Sequence, residues 1–452
     1  MKIIVAGCGM VGMALAERLC EDKNSVTVID NNPDNLANAG NALDVLCVEG
    51  DATSGDVLSE AKAGRADLFI AVTDVDNENL LACLLAKKLG CRHTIARVRD
   101  LKSQKAANML KDEMGLSMVI NPEQDTAREM FNAIKYRNLV RVERLAKGTT
   151  EIIDCVVKPD SALNGLPLKE IGKVTKAGVL VCGIKRGEEV FIPDGNTVIN
   201  AGDTISFIST PRSAHIFLKD MKYDLGGNHA VTIIGGSKLG YHLAAMIGES
   251  GYPAKLIEAD RERCSVLTGK LSDTEIIWGD GTDIDLLEEE DVLESSTIVA
   301  ATDEDSINSM IAVYISKTAP SINVFLKTKK SDFEDMIEDL RIGTIYNPKR
   351  LTVDHIARYV NAMKNSLEDE IEASYSVVGG KIQILEFNIR AGMPNLSVPL
   401  SLARTRDDVR VAVILRKGRP TMARGDSTLE PGDIVIIATT NENIKRYSDI
   451  FR

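Results

Sequence analysis

The stretch Lys2-Ile3-Ile4-Val5-Ala6-Gly7-Cys8-Gly9-Met10-Val11-Gly12 runs on through a helical pattern to Cys20 and then into Val26-Thr27-Val28-Ile29-Asp30. Its order predicts a strand, a glycine turn, a helix and a second strand that stops on an acid. Gly7 permits the tight turn, Gly9 lets the backbone approach a pyrophosphate, and Gly12 lets the helix lie close on the sheet. The helix aims its N-terminal N–H groups and positive dipole end at those phosphates, so Gly7 to Val11 form the candidate cradle. Asp30 can accept hydrogen bonds from both ribose hydroxyls and would repel a 2′-phosphate, which favours NAD or another unphosphorylated ribose. A bare GxGxxG is a weak signal. Here strand, helix and acid all stand where the motif demands, and the reading is nucleotide binding rather than packing alone.

Outward from this unit, Val45 to Glu49 predicts a third strand, followed by the loop Gly50-Asp51-Ala52-Thr53. Leu68-Phe69-Ile70-Ala71-Val72 shows no polar alternation, as expected of a parallel strand buried on both faces. Thr73-Asp74-x-Asp76-x-x-Asn79 then opens a helix, Thr94 to Arg99 reads as a fifth strand, and Leu101 to Met114 as another helix. The fold class is therefore α/β and doubly wound.

Past residue 228 the pattern returns. Val231-Thr232-Ile233-Ile234-Gly235-Gly236-Ser237-Lys238-Leu239-Gly240 repeats the first turn, and Leu256-Ile257-Glu258 repeats Val28-Ile29-Asp30 at the same offset. Gly279-Asp280-Gly281-Thr282 repeats Gly50 to Thr53, Ala301-Thr302-Asp303 repeats Val72-Thr73-Asp74, and Asn121-Pro122 recurs as Asn347-Pro348. After each Asn-Pro a helix shows one apolar face: Ala127, Met130, Phe131 and Ile134, then Val353, Ile356, Ala357 and Val360. Each is either the last helix of its core or an arm laid across a partner. The fresh start at Asn-Pro favours the arm. Glu143 to Pro211 and Glu370 to Thr440 hold short β-patterned runs and end alike, in Asp194-Gly195…Gly202-Asp203 and Gly425-Asp426…Gly432-Asp433. The expected division is two Rossmann-like nucleotide lobes at 1–120 and 228–346, crossover helices at 121–140 and 347–366, and small α+β modules at 141–225 and 367–452. A duplication accounts for the whole chain.

Bulk properties narrow the class. With 452 residues the chain exceeds one core, and no apolar run nears the roughly 18 residues that span a bilayer. The first strand starts at once, leaving no room for a signal peptide, and the eight cysteines form no CxxC pair, so reduced core thiols in a cytosol are expected. A net charge of −12 argues against a nucleic-acid partner, which would need a basic face.

Taken together, the GxGxxG turn, the Gly-Asp-Ala-Thr and TxDxxN segments, the Asn-Pro helices and the paired terminal modules resemble the two-repeat TrkA-type subunits of bacterial Trk potassium uptake systems, built from RCK (also called KTN) domains. The resemblance covers essentially the full length. It implies a cytoplasmic protein that binds NAD(H) or ATP/ADP in its α/β lobes, forms a homo-oligomeric ring as dimer or tetramer, and docks peripherally beneath a TrkH-like potassium-translocating membrane subunit. Carried onto this sequence, nucleotide contacts fall on Gly7 to Val11, Asp30, Asp51, Ala52, Thr73, Asp74 and Arg97. Asp51 and Thr73-Asp74 could instead cap the helices that follow. Arg97 ends a buried strand and must find an anion, either a ligand phosphate or an internal carboxylate.

The second lobe departs from the pattern. Ser237 replaces Gly9, so its Cβ and hydroxyl are expected to intrude on the cradle formed by Gly235, Gly236, Lys238 and Leu239. Glu258 replaces Asp30 and still offers a ribose acceptor; Asp280, Thr302 and Asp303 take the places of Asp51, Thr73 and Asp74. Lys238 and Lys327 could each supply charge to a phosphate or be solvated surface residues. No Walker A motif, GxSxG elbow or histidine metal spacing is present, and the nucleotide lobe is followed by a copy of itself rather than by a catalytic domain. The expectation is a regulatory subunit without catalytic or metal-ligating residues. A sensor serving another transporter, and more remotely an NAD-dependent oxidoreductase, are the alternatives.

Overall fold

The first lobe alternates without interruption: β1 (Lys2–Ala6), α1 (Met10–Glu21), β2 (Ser25–Asp30), α2 (Pro33–Ala42), β3 (Leu46–Glu49), α3 (Gly55–Glu60), β4 (Leu68–Ala71), α4 (Asp76–Leu89), β5 (His93–Arg97), α5 (Leu101–Met109) and β6 (Met118–Ile120). The computed structural model describes all residues except 136–138, 146–148, 188, 224–229, 331–333, 335–336, 338–339, 341, 369–370, 378–380, 407 and 442–443. All neighbouring strands pair in parallel, in the order β3-β2-β1-β4-β5-β6. The order reverses between β1 and β4, and ligands collect outside the strand ends at such a point. Ile4, Ile29, Phe69 and Ala96 bring the sheet into one core with Cys83 and Ala86 of α4. The absence of polar alternation in β4 is explained by its fully buried Leu68, Phe69, Ile70 and Ala71.

Two expected elements are shorter than their patterns. The fifth strand stops at Arg97 rather than Arg99, because the Arg99 N–H turns to Asp76 at 2.9 Å. The helix after it stops at Met109 rather than Met114, and the chain turns back through Gly115 at φ +66°.

After α6 (Pro122–Lys135) come β7 (Leu139–Leu145), β8 (Thr150–Val156), β9 (Val179–Arg186), β10 (Glu189–Phe191), β11 (Thr204–Ser209) and α7 (Pro211–Asp220). The second lobe repeats the first as β12 (Val231–Ile234), α8 (Lys238–Glu249), β13 (Ala254–Glu258), α9 (Arg261–Thr268), β14 (Glu275–Trp278), α10 (Ile284–Glu289), β15 (Thr297–Ala300), α11 (Asp305–Thr318), β16 (Asn323–Lys327) and β17 (Thr344–Tyr346). Its sheet order, β14-β13-β12-β15-β16-β17, is that of the first lobe. The chain ends in α12 (Pro348–Glu368), β18 (Ile371–Val377), β19 (Ile382–Asn388), β20 (Val409–Arg416), β21 (Arg419–Met422) and β22 (Ile434–Thr439). The expected boundary between 225 and 228 lies outside the described residues.

These elements form two compact units. One holds Met1–Phe131 with Asn228–Arg358, the other Asn132–Gly227 with Tyr359–Arg452. Within the first, Asn121 and Asn347 accept helix N–H groups, from Gln124 at 3.1 Å and from Lys349 at 2.9 Å. Each Asn-Pro thus caps and starts its helix, as that dipeptide should. The apolar faces are buried at Ala127 and Met130 and at Val353, Ile356 and Ala357.

The second unit contains two five-stranded antiparallel sheets, β10-β9-β11-β8-β7 and β18-β19-β22-β20-β21. Ile152, Cys182 and Ile208 from one join Ile384, Val413 and Ile436 from the other in a shared apolar core. The end motifs of the two modules do equivalent work. Asp203 receives Arg186 at 2.7 Å and Asp433 receives Arg416 at 2.9 Å, which ties the Gly-Asp turn to the neighbouring strand.

Candidate nucleotide-binding site

Gly7 sits at φ +91°, and a Cβ there would lie 2.8 Å from the Thr73 nitrogen. A Cβ on Gly12 would lie 1.8 Å from the Gly7 oxygen, so only glycine lets α1 seat against the turn. Gly9 caps α1 with no side-chain hydrogen bond, and a Cβ there would meet nothing within 4 Å. The turn therefore presents the open N-terminus of α1 to the cleft, an arrangement made for a phosphate. Asp30 closes the other side: it accepts from the Cys8 N–H at 2.6 Å, the Asn32 N–H at 2.8 Å and the Asn35 amide at 3.3 Å. These bonds hold the carboxylate at the end of β2, on the wall of the cleft.

Gly7, Gly9, Met10, Val11, Asp30, Asp51, Ala52, Thr73, Asp74 and Arg97 line one cleft of about 550 Å³, within the range of small-molecule sites. Cys8 and Gly12 are buried and do not line it; burial, with Asp30 nearby, pushes the Cys8 thiol up to about 11. Asp51 is not a helix cap, since that place belongs to Ser54. It accepts from the Thr53 N–H and hydroxyl, both at 2.7 Å, and these bonds hold its carboxyl below the usual range. Nor do Thr73 and Asp74 cap α4, whose cap residue is Val75. Arg97 has taken an internal anion: it reaches Asp74 at 2.8 Å and the Thr73 carbonyl at 2.7 Å.

In the second lobe Gly235, Gly236, Ser237, Lys238, Glu258, Asp280, Thr302 and Asp303 line a cleft of about 530 Å³. Leu239 is buried in the core and does not reach it. Ser237 behaves differently from expectation. Its hydroxyl folds back, donating to the Ala301 carbonyl at 2.7 Å and accepting from the Gly240 N–H at 3.4 Å, so it caps α8 rather than filling the cleft. Glu258 repeats Asp30, accepting from the Gly236 N–H at 2.6 Å and the Asp260 N–H at 2.8 Å. Lys238 is exposed, but Lys327 is 6% exposed and pairs with Asp303 at 2.7 Å, so the solvated-surface alternative fails for it. Lys327 borders a recess of about 310 Å³ between the lobes, together with Met10, Arg97 and Lys238.

The TxDxxN segment hides a residue that sequence reasoning passed over. Asn79 accepts from the Thr73 N–H and hydroxyl, each at 2.8 Å, and donates to the carbonyls of Thr73 at 2.9 Å and Arg97 at 3.0 Å. Asn308 makes the same four bonds to Thr302 and Lys327. This clasp fixes the ends of β4 and β5, and of β15 and β16, beneath the cleft. Its recurrence at the repeat offset was the available signal. Asn35 and its counterpart Arg263 were also missed; Arg263 donates to the Gly236 carbonyl at 2.8 Å. Among the described residues no three His, Cys, Asp or Glu side chains gather as a metal site, and no helix is long and apolar enough to cross a membrane.

Paired Rossmann-like lobes with open clefts and paired antiparallel modules define a tandem-repeat protein of the α/β nucleotide-lobe class. Residues 3–122 and 231–348 match the TrkA-N domain family and 152–221 and 384–452 the TrkA-C domain family. The chain belongs to the TrkA family and is a TrkA-type subunit. It is similar to a Trk system potassium uptake protein TrkA homolog of Archaeoglobus fulgidus, 28% identical with both chains fully covered. A Trk system potassium uptake protein TrkA of Halomonas elongata is also 28% identical, with 100% of this chain and 98% of that protein covered. Among solved structures, the GsuK channel bound to NAD matches with a TM-score of 0.64 at 16% identity, over 98% of this chain and 77% of that one. At that identity the likeness speaks to the fold: mixed α/β, with RCK-type units in tandem.

Proposed function

We propose that this chain is the cytoplasmic nucleotide-binding regulatory subunit of a potassium uptake system, and that the occupant of its clefts sets the gating of a TrkH-like membrane partner. The observation that carries the reading is the first lobe's cleft, where an uncapped helix N-terminus faces a carboxylate held by backbone N–H groups. Relatives named as Trk potassium uptake proteins support the transport context, and GsuK structures bound to NAD and to ADP support a nucleotide ligand, which we take to be NAD(H) or ATP/ADP. The working division is the one given by the repeat: lobes at 1–120 and 228–346, crossover helices at 121–140 and 347–366, and modules at 141–225 and 367–452, assembled as a homo-oligomeric ring. The contacts are Gly7, Gly9, Met10, Val11, Asp30, Asp51, Ala52, Thr73, Asp74 and Arg97, with a weaker second set around Gly236, Ser237 and Glu258.

A ligand shifts such a switch only by its differential affinity for the two states, and a tenfold bias requires about 1.4 kcal/mol. ATP against ADP, or NADH against NAD, differs by a phosphate or a ring charge, enough to supply that difference. The test is calorimetric titration of the full chain with all four nucleotides, reading stoichiometry as well as affinity, followed by Asp30→Ala and Gly9→Ala. Both variants should weaken first-lobe binding without unfolding, since neither substitution meets a steric obstacle: Gly9 has open space at its Cβ. Undiminished binding in both would remove the first-lobe assignment.

A further inference from the structure

Arg97 ends β5 with a side chain that is 7% exposed, whereas its partner Asp74 is 95% exposed. A guanidinium in that position needs an anion and partners for its donors. Only Nη2 is placed well, on Asp74 and on the Thr73 carbonyl; the buried Nε has no partner. Asp74 is 95% exposed and can swing into water at little desolvation cost, whereas the buried Arg97 requires some anion in its place. The contact is one that a better anion could take over.

Position along the cleft says which anion. Asp30 lies at one end and the glycine turn in the middle, while Arg97 and Asp74 border both the cleft and the recess beyond Met10 and Val11. With an adenosine ribose on Asp30 and two phosphates on the turn, the next group along the ligand arrives at Arg97. In NAD(H) that group is an uncharged ribose diol, for which a carboxylate is a good acceptor. In ATP it is the third phosphate, which a carboxylate repels and a guanidinium binds.

We propose that Asp74 is the specificity-determining residue of the first lobe: paired with Arg97 it stands in for a phosphate and favours NAD(H), and ATP binds by displacing it so that the terminal phosphate takes Arg97, the orphaned Nε included. The proposal rests on the nucleotide reading of this cleft. The second lobe is built against the same exchange. Asp303 is clasped by Lys327 at 2.7 Å and Lys329 at 3.4 Å, and Lys329 also donates to the Asp303 carbonyl at 2.7 Å. Displacing it means breaking two ion pairs rather than one.

The experiment titrates the full chain, wild type and Asp74→Asn, with ATP and with NADH, counting the sites that Asp30→Ala removes. In Asp74→Asn, ATP should bind about tenfold tighter, about 1.4 kcal/mol, and NADH no tighter. Asp74→Ala should move the ratio in the same direction. An unchanged ratio in both Asp74 variants, with wild-type binding intact, overturns this proposal alone. Absence of binding by either nucleotide in the wild type removes the nucleotide reading and this proposal with it.

Discussion

At the head of α1 the N–H groups of the first turn are left for whatever enters the cleft; at the head of α8 one of them already belongs to Ser237. The two lobes otherwise share sheet order, acid at the second strand, Asx turn after the third and asparagine clasp after the fourth. Duplication has thus preserved the bonds from the turn to the second-strand acid, the Asx turn and the asparagine clasp, while other groups at the cleft have diverged: Gly9 against Ser237, Met10 against Lys238, Asn35 against Arg263, Arg97 against Lys327. Bonds that hold the turn are constrained by the backbone in both copies. Groups that touch the ligand answer to the ligand, and two ligand requirements can differ.

The largest effect tests the shared part. An alanine at Gly12 would put its Cβ 1.8 Å from the Gly7 oxygen, and one at Gly240 would be 2.1 Å from the Gly235 oxygen. Neither backbone atom can move without shifting a strand end. Gly12→Ala and Gly240→Ala should each cost about 3 kcal/mol, the upper end for overpacking, read as a lowered denaturant midpoint. A wild-type midpoint in one of them alone would show that the two turns are not built alike.

The same division explains what could be read from the chain. Turns, strands and repeat were legible because they rest on local constraints: Gly7 at positive φ, the unbroken apolar run Leu68 to Ala71, Asn121 and Asn347 before proline. Side-chain choices between two partners were not. Arg97 required an anion, but that it would be Asp74 depends on how β4 and β5 end side by side, a register no motif states. Ser237 was expected to obstruct the cleft because its preference for helix capping, a local rule, was weighed less than its size. Lys327 stands at the repeat position of Arg97, at the end of an apolar run, and that correspondence was the available sign of its burial.

Exchanging the cap residues sharpens the contrast at moderate cost. Gly9→Ser fits the open space and should cap α1, weakening first-lobe nucleotide binding by roughly fivefold, the worth of about one hydrogen bond. Ser237→Gly should cost only a few tenths of a kcal/mol in stability and tighten the second lobe by a similar factor. The readout is built in. Trp278, the chain's one tryptophan, is 60% exposed, bonds to the Ala259 carbonyl at 3.0 Å and adjoins Gly279 on the second cleft, so its fluorescence reports that lobe. Equal nucleotide affinities in wild type and both variants would mean that the cap residue does not set the difference.

The smallest effect concerns a residue the first lobe lacks. His242 on α8 occupies the place of Ala14 on α1, is buried, and faces Glu123, Arg128 and Lys238. Burial lowers its pKa below the ordinary 6.5, with Glu123 opposing and the two cations assisting. The folded protein therefore binds this proton less readily than the unfolded chain does, and by linkage acid favours unfolding. The contribution is absent as a penalty above pH 6.5, where both states carry neutral imidazole, and stability falls as pH drops through 6.5 towards the depressed folded value. His93 in the first lobe is shifted the same way, so the measurement is a difference. Thermal midpoints of wild type and His242→Gln, compared between pH 8 and pH 5, should diverge from parallel, with the variant losing less on acidification. Parallel curves would mean that Glu123 offsets the burial, and that the two lobes meet acid alike despite their different side chains at this position.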